Sequence, residues 1–248
     1  MNFITLLIKN EYRWNYKKIL IGLFFNIVGT GLLYAAFVPC LGKILPRIDY
    51  LELTQYMFPG IIIFLNAMLA LGLTSSHTAR FFWNGTGDYH RTAGLAIPWL
   101  YGSYLVLFGT LLLIHLMISS FTLAILSGFS LQTGALLAFW AYSLLGLILF
   151  IQIGILIGLS PDQRNHFYWI ILVILPVFLM SGMITPTHYL TGFARLCQSV
   201  MPSAILIEGG RSILAHGSLN IFNVFYLLIL NIFFFIGVLY LFKRKLQR

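Results

Sequence analysis

The sequence predicts an all-α, polytopic membrane protein with six transmembrane helices, on three observations. Of 248 residues, 60% are hydrophobic and only 8% are charged, more apolar side chain than a soluble core can use. The apolar residues form continuous runs, not the alternating ten-residue segments of a membrane barrel. Most runs reach the ~20 residues needed to cross a hydrocarbon core about 30 Å thick.

Residues 1–18, MNFITLLIKNEYRWNYKK, mix apolar and basic side chains, with Tyr12, Trp14 and Tyr16 as interface anchors. They predict an N-terminal amphipathic interfacial helix on the cytoplasmic surface. The charged stretch extends to Lys18, and the run from Ile19 to Val38 is long enough to span. It therefore reads as a membrane span over 19–39, closed by Pro39, and not as a cleaved leader. A short polar loop from Gly42 to Gln55 carries Lys43, Arg47, Asp49 and Glu52. The second span, 57–76, opens on Phe58-Pro59-Gly60.

The segment 75–98, SSHTARFFWNGTGDYHRTAGLAIP, is the one substantial polar loop on the side of the N-terminus. Within it Thr78 to Trp83 suit a short helix with Arg80 exposed, and Gly85, Gly87 and Gly94 allow sharp turns. The third span covers 100–126. A turn at Gly128-Phe129-Ser130 leads to the fourth, 132–159, followed by the hydrophilic SPDQRNH, 160–166.

The fifth element begins as a span at Phe167 and stops behaving like one. Pro176 and the pair Ser181-Gly182 interrupt it after about half the ~20 residues a crossing needs. Some thirty residues of mixed character then separate Pro186 from the last run, too many for a structureless connection. Leu190, Phe193, Ala194, Cys197, Val200 and Met201 recur at helical spacing. Pro202-Ser203 reads as a helix start and Gly217 as a stop. Two short amphipathic helices at or in the far membrane surface follow. The last span covers 219–242 and ends in KRKLQR. No linker, repeat or soluble domain divides residues 1–248.

Topology follows from the cations. Lys9, Arg13, Lys17, Lys18, Arg80, Arg91, Arg164, Lys243, Arg244, Lys245 and Arg248 fall on one side, and Lys43, Arg47, Arg195 and Arg211 on the other. Eleven against four puts both termini in the cytoplasm. The net charge of +9 is thus topological, and nucleic acid is not an expected partner. Cys40 and Cys197 are too few for a disulfide framework or a thiolate metal site; sharing the external side would allow one bridge between them, and two unpaired, buried thiols are the expectation.

Chemistry is sparse. The six acids, Glu11, Asp49, Glu52, Asp88, Asp162 and Glu208, all sit at span ends or in loops. A carrier driven by protons or ions needs ionisable groups at membrane depth, so a self-powered transporter is disfavoured. His115 lies well inside a span, where a neutral ring bonded to a neighbouring helix is expected. Asn26, Thr30, Asn66, Gln152, Asn223 and Asn231 suit interhelical contacts, and Asn26, Asn66, His115 and Gln152 are also candidates for lining a translocation path. Gly42-Lys43 superficially suggests a phosphate loop, but Phe37 and Ile44 occupy positions that need Gly and Ser or Thr. No metal-ligand set and no catalytic motif is legible. A transport-like architecture without an engine must borrow energy, and 75–98 is the cytoplasmic segment large enough for a partner to push.

With these parts placed, the chain resembles the membrane subunit of an ABC-2 type transporter. The residues that carry the resemblance are Phe58-Pro59-Gly60, Ala96-Ile97-Pro98, Pro176, Ser181-Gly182-Met183-Ile184-Thr185-Pro186, Met201-Pro202, Arg211 and the basic tail. The resemblance implies a coupling helix in 75–98 that docks on an ATPase, with Arg80, Trp83, Gly85, Thr86, Asp88, His90 and Arg91 as coupling residues. Where the family has an acid before a Gly-Thr pair, Phe82, Trp83 and Asn84 stand here, and the acid follows as Asp88. It further implies that 186–217 forms short external helices re-entering the membrane, with Pro176, Ser181, Gly182, Pro186, Pro202, Glu208 and Arg211 as their motif. Two permease subunits, expected as a homodimer, would join two ABC ATP-binding subunits. The chain itself would bind no cofactor, and ATP and Mg would sit on the partner.

The function expected is export of an amphipathic or hydrophobic substrate (drug, lipid or lipid-linked glycan) across a bacterial inner membrane, with membrane lipids as surroundings. Two alternatives belong to other classes. An intramembrane lipid-modifying enzyme would need groups such as Asp88 with His90 or Asp162 with His166. A non-transporting sequestering or immunity protein would bind its ligand without an ATPase.

Overall fold

The computed structural model describes residues 3–44, 47–48, 51–83, 97–128, 132–160, 166–183 and 189–246, with backbone alone for 3–19, 83, 166–167 and 177–178. Eight helices and one small hairpin make up these residues. They are α1 (Phe3–Gly42), β1 (Arg47–Ile48), β2 (Leu51–Glu52), α2 (Leu53–Trp83), α3 (Ile97–Ser127), α4 (Thr133–Gly158), α5 (His166–Leu179), α6 (Gly192–Val200), α7 (Pro202–His216) and α8 (Ile221–Leu246). Segments within α1, α2, α3, α4 and α8 are long and apolar enough to cross a membrane, and the chain is an all-α polytopic membrane protein. At fourteen residues, α5 rises only ~21 Å, short of a crossing on its own.

Several boundaries differ from expectation. Helix α1 runs 40 residues without interruption, so the expected surface helix and the first span are one element. Pro39 does not close it. A proline costs a helix one backbone donor and a clash one turn back, yet here the helix runs on to Gly42. Phe58-Pro59-Gly60 likewise lies inside α2, which begins five residues earlier at Leu53. The α2 helix also extends to Trp83, so the first part of the expected 75–98 loop is the end of a membrane helix. The hairpin pairs Arg47 with Glu52 and Ile48 with Leu51, antiparallel, in what sequence reasoning leaves as a plain loop. Gly128 and Gly217 take left-handed φ values of 65° and 64° where α3 and α7 end, as only glycine does without strain.

Helices α2 and α4 pack most extensively and form the centre. Helix α4 also carries α7 and α8, and α3 joins α1 to the pair. Hydrocarbon supplies no hydrophobic drive between helices, so contact depends on close backbone approach and polar ties. Glycines provide the approach. A Cβ on Gly154 would collide with the Thr74 hydroxyl oxygen, and one on Gly158 would sit 2.6 Å from the Ser75 carbonyl. Thr74 also donates across the seam to the Ile151 carbonyl (3.3 Å). The faces of α1 and α8 turned away from this centre are studded with exposed Phe24, Phe25, Leu32, Phe222, Ile229 and Phe233, as suits helices at the rim.

Gly154→Ala should lower the unfolding free energy by about 1–3 kcal/mol, the usual cost of overpacking. It would be read as a lower thermal midpoint in detergent. Gly237→Ala, whose Cβ meets nothing within 4 Å, should leave the midpoint unchanged or higher. Equal behaviour of the two variants would refute the close α2–α4 seam.

Candidate functional site: a buried arginine at a broken helix

Helix α5 runs through Pro176 and ends at Leu179, just ahead of Ser181-Gly182. Pro176 offers no N–H, and the Met180 N–H closes the last turn on the Pro176 carbonyl (2.8 Å). Ser181 then accepts from the Met183 N–H through its hydroxyl (3.2 Å), and Gly182 turns left-handed at φ 69°. The reversal leaves the Gly182 and Met183 carbonyls outside any helix ladder, and such groups need donors when buried.

Arg211 of α7 supplies them. Its Nη2 donates to the Gly182 carbonyl (2.7 Å) and the Met183 carbonyl (3.2 Å). Its Nε donates to the Tyr56 carbonyl in the first turns of α2 (2.9 Å). The guanidinium carbon stands 3.5 Å from the centre of the Tyr56 ring, and the Tyr56 hydroxyl donates to the same Gly182 carbonyl (3.2 Å). Arg211 is only 8% exposed. The planar fork allows several directed bonds and ring stacking at once, which a compact ammonium cannot match. One side chain therefore ties together α2, the α5 break and α7.

Glycines let the pieces close. A Cβ on Gly60 would meet the Met183 side chain at 2.5 Å, and one on Gly210 would meet Phe139 at 2.9 Å and Pro59 at 3.1 Å. On Gly209 it would collide with the Tyr142 oxygen, whose hydroxyl donates to the Ile205 carbonyl (3.0 Å). Helix α7 thus presses against both α2 and α4, anchored at its start by Pro202. Of the external motif, Pro176, Ser181, Gly182 and Arg211 build this cluster, Pro202 positions it, and Glu208 is exposed on α7. Pro186 lies outside the described residues. Sequence reasoning missed Tyr56 and the Gly209-Gly210 pair. The adjacent small residues directly before a cation were the available signal.

The coupling residues are only partly described. Arg80 is exposed in the last turn of α2 and Trp83 is its final residue. Gly85, Thr86, Asp88, His90 and Arg91 lie outside the described residues. At this end Phe82 meets Phe242 of α8 (ring centres 5.0 Å apart), and Phe81 meets Tyr104 of α3 (5.8 Å). Lys245 donates to the Leu159 carbonyl beyond the end of α4 (2.7 Å) and lies 5.1 Å from the Phe82 ring centre.

The four path candidates are buried within the chain. Asn26 donates to His115 Nδ1 (3.3 Å), and Thr30 to the Asn26 carbonyl (2.7 Å). Asn66 donates to the Ser119 hydroxyl (3.0 Å), itself bonded to the His115 carbonyl (2.9 Å). These residues form one network across α1, α3 and α2. Gln152 stands apart, donating to Asn231 of α8 (3.3 Å). Both cysteines are free thiols. The expectation of burial fails for Cys40, which is exposed, while Cys197 is half-buried. Among the described residues no three of His, Cys, Asp and Glu gather as a metal-ligand set.

Arg211→Lys and Arg211→Met should each destabilise the chain by about 2–4 kcal/mol, since hydrogen bonds from charged donors are worth ~1.5–3 kcal/mol. Thermal unfolding in detergent measures the loss. Alkylation of a Met183→Cys reporter should quicken in either background. A lysine variant as stable as the parent, with the reporter thiol still shielded, would show that the fork geometry is dispensable.

Comparison with known proteins gives one match. The family model described as ABC-2 type transporter matches residues 3–215, from α1 through nearly all of α7. Neither the curated proteins nor the solved structures contain a match to the chain.

Proposed function

The chain belongs to the ABC-2 type transporter family, and from that membership we propose that it is the permease subunit of an ATP-driven exporter. Its place as the membrane component of an ABC transporter, which generally works with an ATP-binding subunit, follows from the family. The direction of transport, the partner's copy number and the substrate class are the proposal. The observation that carries it is the family match over α1 to α7 in a chain whose spans hold no acidic residue at depth. The cations of the candidate spans, Arg80 and Lys243 to Lys245, fall at their ends. An ion-coupled engine needs ionisable groups at depth, and the deep histidine, His115, is engaged with Asn26.

The energy therefore comes from ATP and Mg on a separate subunit. We place docking of that subunit at Arg80, Trp83 and the adjoining Gly85, Thr86, Asp88, His90 and Arg91. The pathway is completed by a second copy of the permease, giving two permeases and two ATP-binding subunits in a bacterial inner membrane, with both termini cytoplasmic. The substrate is amphipathic or hydrophobic. The Arg211 cluster, on the opposite side of the membrane from the docking segment, holds α7 and the α5 break to α2. Because α2 runs from that cluster to Arg80, a push at one end reaches the other through a single helix.

In mild detergent the tagged chain should recover a stoichiometric ATP-binding subunit with ATPase turnover. Arg80→Glu with Arg91→Glu should reduce that turnover to the rate of the isolated subunit while the permease stays folded and inserted. Full coupling in the double variant would overturn the docking assignment. A monodisperse preparation without any ATPase would move weight to an enzyme or a sequestering protein.

A further inference from the structure

At the end of α1 away from the N-terminus lies an open cavity of about 430 Å³, within the ~300–1,000 Å³ typical of small-molecule sites. Val38 and Pro39 of α1 and Leu53 of α2 form its apolar part, and Lys43, Arg47 and Glu52 bring charge to it. Val38 and Leu53 are buried, whereas the three charged residues are exposed. Among the described residues none of the three charged heads is taken up in a hydrogen bond or ion pair. The hairpin sets Arg47 directly opposite Glu52, which brings a cation and an anion to within reach of one ligand.

We propose that this cavity is a resident phospholipid site, specific for a phosphoethanolamine headgroup. Three features select that occupant. The cavity lies where a membrane span ends, at the level of the lipid phosphates. Its apolar wall continues onto the exposed side of α1 at Leu32, Ala36 and Pro39, a track for acyl chains. Its charges match a zwitterion, with Lys43 and Arg47 for the phosphate and Glu52 for the ammonium. A bare phosphate would gain nothing from Glu52. A quaternary choline has no N–H to give it. The site rests on α1 being a membrane span and not on the transport reading, so it stands or falls separately.

The full chain would be reconstituted in nanodiscs with equal amounts of phosphatidylethanolamine, phosphatidylcholine and phosphatidylglycerol. The lipid retained on release would be identified by native mass spectrometry. Phosphatidylethanolamine should be retained preferentially. Lys43→Gln with Arg47→Gln should cut retention about thirtyfold, the scale of two interfacial cations, whereas Lys43→Arg with Arg47→Lys should preserve it. Glu52→Gln should abolish the preference for ethanolamine over choline. Unchanged retention in the double glutamine variant, or an intact preference without Glu52, would overturn the proposal. So would displacement of the lipid by excess inorganic phosphate, which would assign the site to a free anion.

Discussion

A helix that stops inside a membrane protein leaves carbonyls without donors, and the fold beyond α5 depends on how two of them are met. Water cannot be counted on in a buried site, and an unmet carbonyl there costs several kcal/mol. The donors come from Arg211, thirty-two residues after α5 ends, so satisfying a local defect fixes a long-range contact. Helix α7 must lie where its guanidinium reaches Gly182, Met183 and the Tyr56 carbonyl together. That position in turn requires Gly209 and Gly210 at the faces toward Tyr142 and Phe139. Here three carbonyl dipoles and the Tyr56 ring face are arranged around the guanidinium.

The rest of the helix assembly follows the same logic. Where backbones must touch, side chains vanish, as at Gly154 and Gly158 against α2. Where side chains are polar, they reach across to another helix. Asn26 with His115, Asn66 with Ser119, Trp140 with Ser120 and Gln152 with Asn231 link all five long helices. Such ties are worth only about 0.6–2 kcal/mol each. Their value lies in register, because a displaced helix would strand the polar group in hydrocarbon.

Much of this was legible in the sequence, and the reason differs by element. Apolar runs fix span positions because a ~30 Å slab imposes a length, so α3, α4 and α8 begin and end within a few residues of expectation. Pro202 and Gly217 mark α7 because their backbone preferences are local and strong. Pro39 and Pro59 misled for the complementary reason: both lie beyond the first turn of their helices, where a proline does cost a hydrogen bond, and the helices run through them all the same. The Arg211 cluster was legible as a set of separate oddities, Pro176, Ser181-Gly182 and a cation among apolar neighbours. Their convergence with Tyr56 depends on contacts across 155 positions that no local pattern encodes. The two-residue hairpin at Arg47–Glu52 was too short to leave any periodicity.

The polar ties also constrain where a substrate can travel on the transport reading proposed above. A path through the middle of one chain would have to part Asn26 from His115 and Asn66 from Ser119. Each parted group would then need a new partner at membrane depth. The central α2–α4 seam is closer still, with Gly154 and Gly158 leaving no room for a passing molecule. Among the described residues the outward faces of α1 and α8 carry no such commitments, since the exposed side chains there are largely apolar. A surface completed by a second copy can open and close by rigid displacement, without breaking a buried hydrogen bond. For a permease whose energy arrives from outside, that is the less costly motion. It leaves the Arg211 cluster intact, as the proposed push through α2 requires.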